Sequence, residues 1–248
     1  MNKDYELKYH RIEEDYWWFA AHRDMLYRFI KKLKADKNSK ILDVGCSGGH
    51  LIKLLHTNGL KNTYGIDISE KAINLCKRKG IKNVFVMDCI KTNFDNNTFD
   101  IAIAADILEH TKNDVRALVE WNRIIKPGGR LIISVPAFGF LWSKHDELNQ
   151  HYKRYKKSDL IYALEKSNFK VIRASYWNFS LFFPIVAFTY LRRAFQGKRD
   201  QKNDNLYELS PIMNKMIFIL LKFENLIMEH LSFPFGTSIF ALAVKPKN

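Results

Sequence analysis

The chain has only three cysteines, Cys46, Cys76 and Cys89, in 248 residues. They are too few and too scattered for a disulfide framework or a cysteine-based zinc site, so a reducing compartment is expected. No unbroken apolar run reaches the roughly 18 residues that a membrane-spanning helix needs. The N-terminal stretch MNKDYELKYHRIEED is charged throughout and carries no apolar signal core. The expectation is therefore a cytoplasmic protein without an export signal. Long blocks of like charge and internal repeats are also missing.

What is present is a basic, core-forming composition. Forty Lys and Arg face 26 Asp and Glu, a formal charge of +14, yet the excess is Lys spread along the chain. Spread charge governs solubility and weak association rather than one defined contact. Hydrophobic residues make up 47% and aromatics 14%, which argues against a disordered chain.

Short apolar runs at 40–44, 62–66, 83–87, 99–104 and 130–135 alternate with helical patterns, the signature of a parallel sheet covered on both faces. A helix over 157–167, a sixth strand over 169–175 and a seventh over 238–244 follow. Two regions stand outside this alternation. Residues 1–36 read as a helical lid bearing Trp17, Trp18 and Phe19, ahead of one domain spanning 37–248. Residues 180–235 read as a helical insertion between strands 6 and 7, where Met213, Met216, Ile217, Leu220 and Ile227 share an apolar face.

The segment KILDVGCSGGHLIKLL carries the most chemistry. A buried strand ending near Asp43 runs into a turn with Gly45, Cys46, Ser47, Gly48 and Gly49, and then into a helix. Missing side chains let a ligand approach the backbone there, and a helix start offers N–H groups. Asp67 ends the second strand, where an acid accepts from ribose hydroxyls in nucleotide-binding folds. Asp88 ends the third. An NAD site is disfavoured, because GCSGGH departs from G-x-G-x-x-G at its second and third glycines.

With ILDVGCSGG, YGIDIS, VMDC, FDIAIAADILEH and the KPGG turn together, the chain resembles the class I S-adenosylmethionine (SAM)-dependent methyltransferases. The resemblance implies an α/β, Rossmann-like, seven-stranded, mostly parallel sheet in the order 3-2-1-4-5-7-6 with strand 7 antiparallel. It implies SAM as cofactor. Gly45, Cys46, Ser47 and Gly49 would pack on its methionine portion, with Asp43 organising the loop. Asp67 with Ile68 would hold the ribose, Asp88 with Cys89 would flank the adenine, and Ala105 would end strand 4 beside the methyl group.

Strand 4 and the loop after strand 5 would face the acceptor. They bring Asp106, Glu109 and His110, then the stretch HDELNQHYKRY. That stretch and the leader's Trp-Trp-Phe cluster resemble those of methyltransferases acting on small molecules and polysaccharides. His110, His145 and His151 are the candidate bases, against the plainer reading that they cap or orient the loop. Trp18, Arg23, Asp146, Arg154 and Tyr155 are candidate acceptor contacts; Arg154 could equally pair with a carboxylate. No complete metal-ligand set is evident, so none is expected.

The acceptor is expected to be a small molecule, a saccharide or a lipid-linked compound, methylated on oxygen. A D/N-P-P-Y/F tetrad after strand 4 is lacking, which speaks against nucleic acid. An RNA methyltransferase and a non-catalytic SAM-fold scaffold remain as alternatives. Residues 180–200, with apolar anchors before Arg192, Arg193, Lys198 and Arg199, could rest on the inner face of an anionic membrane, or the insertion could form a homodimer seam.

Overall fold

In a computed structural model that describes residues 12–195 and 209–247, seven strands form one sheet in the order β3-β2-β1-β4-β5-β7-β6. They are β1 (Ile41–Val44), β2 (Thr63–Asp67), β3 (Val84–Val86), β4 (Phe99–Ala105), β5 (Ile125–Pro136), β6 (Lys170–Trp177) and β7 (Ser238–Val244). All neighbours pair parallel except β7, which runs antiparallel to both β5 and β6. The fold implied by the resemblance is therefore the fold present. Strand β5 begins at Ile125 because the KPGG turn pairs in extended form, and β6 runs on to Trp177.

Side chains alternate across the sheet with the two-residue strand period. Leu42 packs with α4 (Asp114–Ile124) and α6 (Lys157–Lys166) on one face, through Leu118, Trp121 and Leu160. Ile41 packs on the other face with α1 (Trp17–Lys32), α2 (His50–Thr57) and α8 (Pro211–Met228). Helix α3 (Glu70–Arg78) adds Ile73 and Cys76 to a smaller cluster with Cys46. Short α5 (Lys144–Leu148) and α7 (Phe182–Phe195) sit beside the ends of β5 and β6.

The leader is built into the core more deeply than a lid. Helix α1 buries Ala21, Met25, Phe29 and Ile30, a helical stripe, and Phe29 meets Phe240 of β7 with ring centroids 4.2 Å apart. Burying such a ring contributes about 1.5–3 kcal/mol. Residues 1–11 of the leader lie outside the described residues.

The insertion forms two helices, α7 and α8, and the polar stretch containing Lys198 and Arg199 lies outside the described residues. The apolar face read from the sequence turns outward in α8: Met213, Met216 and Leu220 are exposed, whereas Leu221, Glu224, Asn225 and Met228 are buried. Polar partners fix this orientation. Glu224 accepts from the N–H groups of Phe179 and Ser180 at 2.9 and 2.8 Å. Asn225 accepts from Trp177 Nε1 at 2.8 Å and donates to the Ala21 carbonyl at 2.9 Å.

Candidate active site

Glycine is required where the chain leaves β1. Gly45 has φ +75°, and a Cβ there would come within 2.7 Å of Ile107 Cδ1. The N–H groups of Gly45 and Cys46 both donate to the Ile66 carbonyl, at 2.8 and 2.9 Å, fastening the loop to β2. Asp67 holds the loop from the next strand, accepting from Ser47 N–H at 3.0 Å and Ser69 N–H at 2.8 Å.

A third acid arrives from the leader, which sequence reasoning missed. Ser47 Oγ lies 3.0 Å from Glu13 Oε2. Arg23 secures that segment by donating to the Glu13 and Glu14 carbonyls at 2.6 and 2.5 Å. Arg23 is therefore a strap for the leader and does not line the cavity past β4 where Trp18 and Arg154 stand. Burial, then the charges of Glu13 and Asp67, push Asp43 up to about 8.

This loop fits SAM by its donor set. Three carboxylates converge on a bend lined by backbone, and a ligand carrying a sulfonium and an ammonium offsets their mutual repulsion. Ile68 and Val86, 76% and 49% exposed, offer apolar surface beside Asp67, which is in register with Val86. Asp88 is exposed and accepts from Ile90 N–H at 3.0 Å. Two cysteines face elsewhere than expected. The Cys46 thiol is buried beneath Gly65, so only its backbone belongs to the loop. Cys89 packs against the core, and its carbonyl accepts from Trp121 Nε1 at 2.9 Å.

Past Ala105, the end of β4 opens onto a cavity of about 220 Å³. One water needs only roughly 10–15 Å³, so this is a chamber for a ligand. Trp18, His110, His145, His151 and Arg154 line it, together with Asp106 and Glu109. The structure thus brings together five of the eight acceptor-side candidates.

Asp106 sits at φ +52°, a left-handed conformation uncommon outside glycine. Its carboxylate lies 3.3 Å from His22 Nδ1, and His22 Nε2 lies 2.9 Å from Ser134 Oγ. Burial raises Asp106 to about 7, opposed by the Ser134 hydroxyl and by Arg154. Burial, then Arg23, lowers His22 to about 3. Trp177 stacks on the His22 ring at 4.8 Å. His22 was not singled out from the sequence; its spacing of four from Trp18 on one helix face was the available signal.

Asp146 is the hub of the following loop and is fully buried. Arg154 grips it through Nε and Nη2 at 2.8 and 2.9 Å, His151 Nδ1 at 2.9 Å, and Ser143 N–H at 2.7 Å. Burial alone would raise this acid, but the His151 hydrogen bond and Arg154 hold it well below the carboxylate range. Asp146 is therefore not an acceptor contact, and Arg154 pairs with a carboxylate. His145 Nε2 lies 3.1 Å from Asn149 Nδ2. Burial, then the neighbouring His151, lowers His110 to about 3. Tyr155 is 1% exposed and belongs to the core. Its backbone pairs with Pro136 and Phe138, which turns its ring inward and away from the cavity.

Residues 42–133 match a family model described as a methyltransferase domain. A ubiquinone biosynthesis O-methyltransferase of Coxiella burnetii is 27% identical over 167 residues, covering 62% of this chain and 66% of that protein. An uncharacterized protein of Methanocaldococcus jannaschii is 32% identical over 158 residues, covering 63% of this chain and 65% of that one. The matched stretch thus spans a little under two thirds of these relatives. Among solved structures, the Haemonchus contortus phosphoethanolamine N-methyltransferase 2 in complex with SAM superposes with TM-score 0.61 at 19% identity, covering 90% of this chain and 52% of that one. A chain in the complex of the Haloferax volcanii Trm112 methyltransferase activator with a methyltransferase gives TM-score 0.65 at 13% identity, covering 99% and 96%.

Proposed function

We propose that this chain, which carries a class I SAM-dependent methyltransferase domain with SAM as its cofactor, methylates a hydroxyl oxygen of a small or lipid-linked acceptor. The observation that carries this reading is Asp106, a partly buried acid at the end of β4 that lines the cavity 3.3 Å from His22 Nδ1 and that burial raises to about 7. A group poised near neutral pH takes a hydroxyl proton efficiently, whereas an amine nucleophile needs no such base during attack. The Coxiella burnetii relative is named for ubiquinone biosynthesis O-methylation, which agrees in atom.

Bound SAM supplies an electrophilic methyl group for in-line displacement. The chain's own residues do the rest. Asp67 and the Gly45 bend fix the cofactor's position, and Ile68 offers its apolar side chain. Trp18 walls the acceptor chamber with apolar ring surface. His22 and Ser134 hold the Asp106 carboxylate in place, so that positioning contributes to the rate along with proton removal.

The proposal extends to a peripheral position at the cytoplasmic face of a membrane. No described helix is long and apolar enough to cross one. Phe183, Phe188 and Leu191 of α7 and Met213, Met216 and Phe223 of α8 are more than half exposed. Arg192 and Arg193 flank them in a chain of charge +14, and an anionic lipid surface complements that combination. The test is methyl incorporation from labelled SAM into hydroxylated aromatic acceptors bearing a polyprenyl tail. O-methyl product supports the reading; methylation confined to amines, or to RNA, overturns it.

A further inference from the structure

Glu109 sits in the short helical turn Leu108–His110 just past β4 and is fully buried. Neither of its carboxylate oxygens has a hydrogen-bond partner among the described residues. A buried carboxylate without a partner is costly, and native structures keep one where something else satisfies it. Two imidazoles stand beside it. One ligating atom from each of Glu109, His110 and His151 can be chosen so that all three lie within 4.8 Å of one another. The Tyr152 N–H donates to the Glu109 carbonyl at 2.8 Å, which ties the two chain segments together.

Both rings are already oriented from behind. His151 Nδ1 meets Asp146 Oδ1 at 2.9 Å, and Arg154 clamps that carboxylate, leaving His151 Nε2 facing away from it. His110 is held by the Asn149 backbone carbonyl. The rings stand perpendicular with centroids 4.6 Å apart. A carboxylate or carbonyl on the far nitrogen is the arrangement that fixes metal-binding histidines.

We propose that Glu109, His110 and His151 bind one divalent transition-metal ion at the acceptor cavity. Two imidazoles and one carboxylate favour ions of the zinc, iron and manganese type over magnesium or calcium. Bonds of about 2.0–2.2 Å place ligand atoms roughly 3.3 Å apart, so small side-chain rotations close the set. The proposal departs from the expectation of no metal: the third ligand comes from the next loop, and sequence spacing could not place it beside Glu109.

Three protein ligands leave coordination positions open, and the cavity lined by the same three residues is where they open. Resting on the O-methylation reading, the site selects acceptors with two neighbouring oxygens able to chelate. The hydroxyl proton passes to Asp106, the new O–CH3 bond forms as the sulfonium C–S bond breaks, and S-adenosylhomocysteine leaves.

The full-length protein is stripped with chelator and titrated with Co2+, followed by its visible absorption and by displacement with Zn2+. One equivalent is expected. Glu109→Gln and His151→Ala are expected to weaken binding roughly tenfold or more, while SAM binding by calorimetry reports that each variant is folded. The proton spectrum of the Co2+ protein is expected to show two shifted, exchangeable imidazole N–H signals, a test needing no variant. Absence of a Co2+ complex, absence of those signals, or unchanged affinity in folded variants overturns the site. Methyl transfer at full rate by stripped enzyme overturns the metal's role and leaves the methyltransferase reading intact. A bound ion in a protein that never methylates oxygen does the reverse.

Discussion

His22 of the leader helix faces Asp106 at the end of β4, Nδ1 to Oδ2, at 3.3 Å. The contact joins helix α1 to the centre of the sheet, beside the cavity that Trp18 lines. It also makes the protein acid-sensitive. The folded-state pKa of His22 is about 3, against an ordinary value of 6.5. Between those values the unfolded chain binds a proton that the folded one refuses, so stability falls as pH drops from 6.5 towards 3. A gap of roughly 3.5 units at about 1.4 kcal/mol each sets an upper bound of about 4–5 kcal/mol. Urea unfolding across pH is expected to show a shallower acid loss in His22→Gln than in the native chain.

Asp106→Asn is expected to lower kcat about 10²–10⁴-fold while SAM affinity stays near native. In the native enzyme kcat is expected to rise with pH through about 7, the value Asp106 reaches by burial against the opposing Ser134 hydroxyl and Arg154. The groups that face it are His22 from α1, Ser134 from β5, and the charges of Arg154 and Glu109. A flat pH–rate profile would exclude Asp106 as the base.

Asp43 couples cofactor binding to protons. Its folded-state acid is raised from 3.8 to about 8. A cationic ligand favours the ionised form, so SAM binding releases a proton and affinity rises with pH up to about 8. The same shift means that, without ligand, Asp43 makes the fold less stable as pH rises from about 4 to 8. Calorimetry in buffers of different ionisation enthalpy is expected to show proton release in the native protein and none in Asp43→Asn.

The exposed apolar residues of α7 and α8 are expected to carry the protein onto vesicles rich in anionic lipid at low salt. High salt is expected to release it, because charge attraction is screened. Phe183→Glu with Phe188→Glu is expected to abolish sedimentation with vesicles. A native chain that stays in the supernatant at low salt removes the membrane contact from the account.

The glycine bend and Asp67 were legible because a tight strand-to-helix turn and a strand-end acid are local demands on the backbone. Strand order came through the resemblance, since the antiparallel β7 leaves no mark in local periodicity. The direction in which the apolar face of α8 points was not legible, because apolar spacing alone cannot reveal that Glu224 and Asn225 find buried polar partners on other elements. His22 escaped notice because its partner Ser134 lies 112 residues away. Tyr155 read as an acceptor contact from its chemical neighbours, yet backbone pairing turned it into the core.

The most direct test of the account is calorimetric titration of the purified chain with SAM, beside Asp67→Ala. One site per chain is expected, with Asp67→Ala weaker by about 10–100-fold for loss of charge-assisted hydrogen bonds. No binding to the native chain, or equal binding by both proteins, contradicts it.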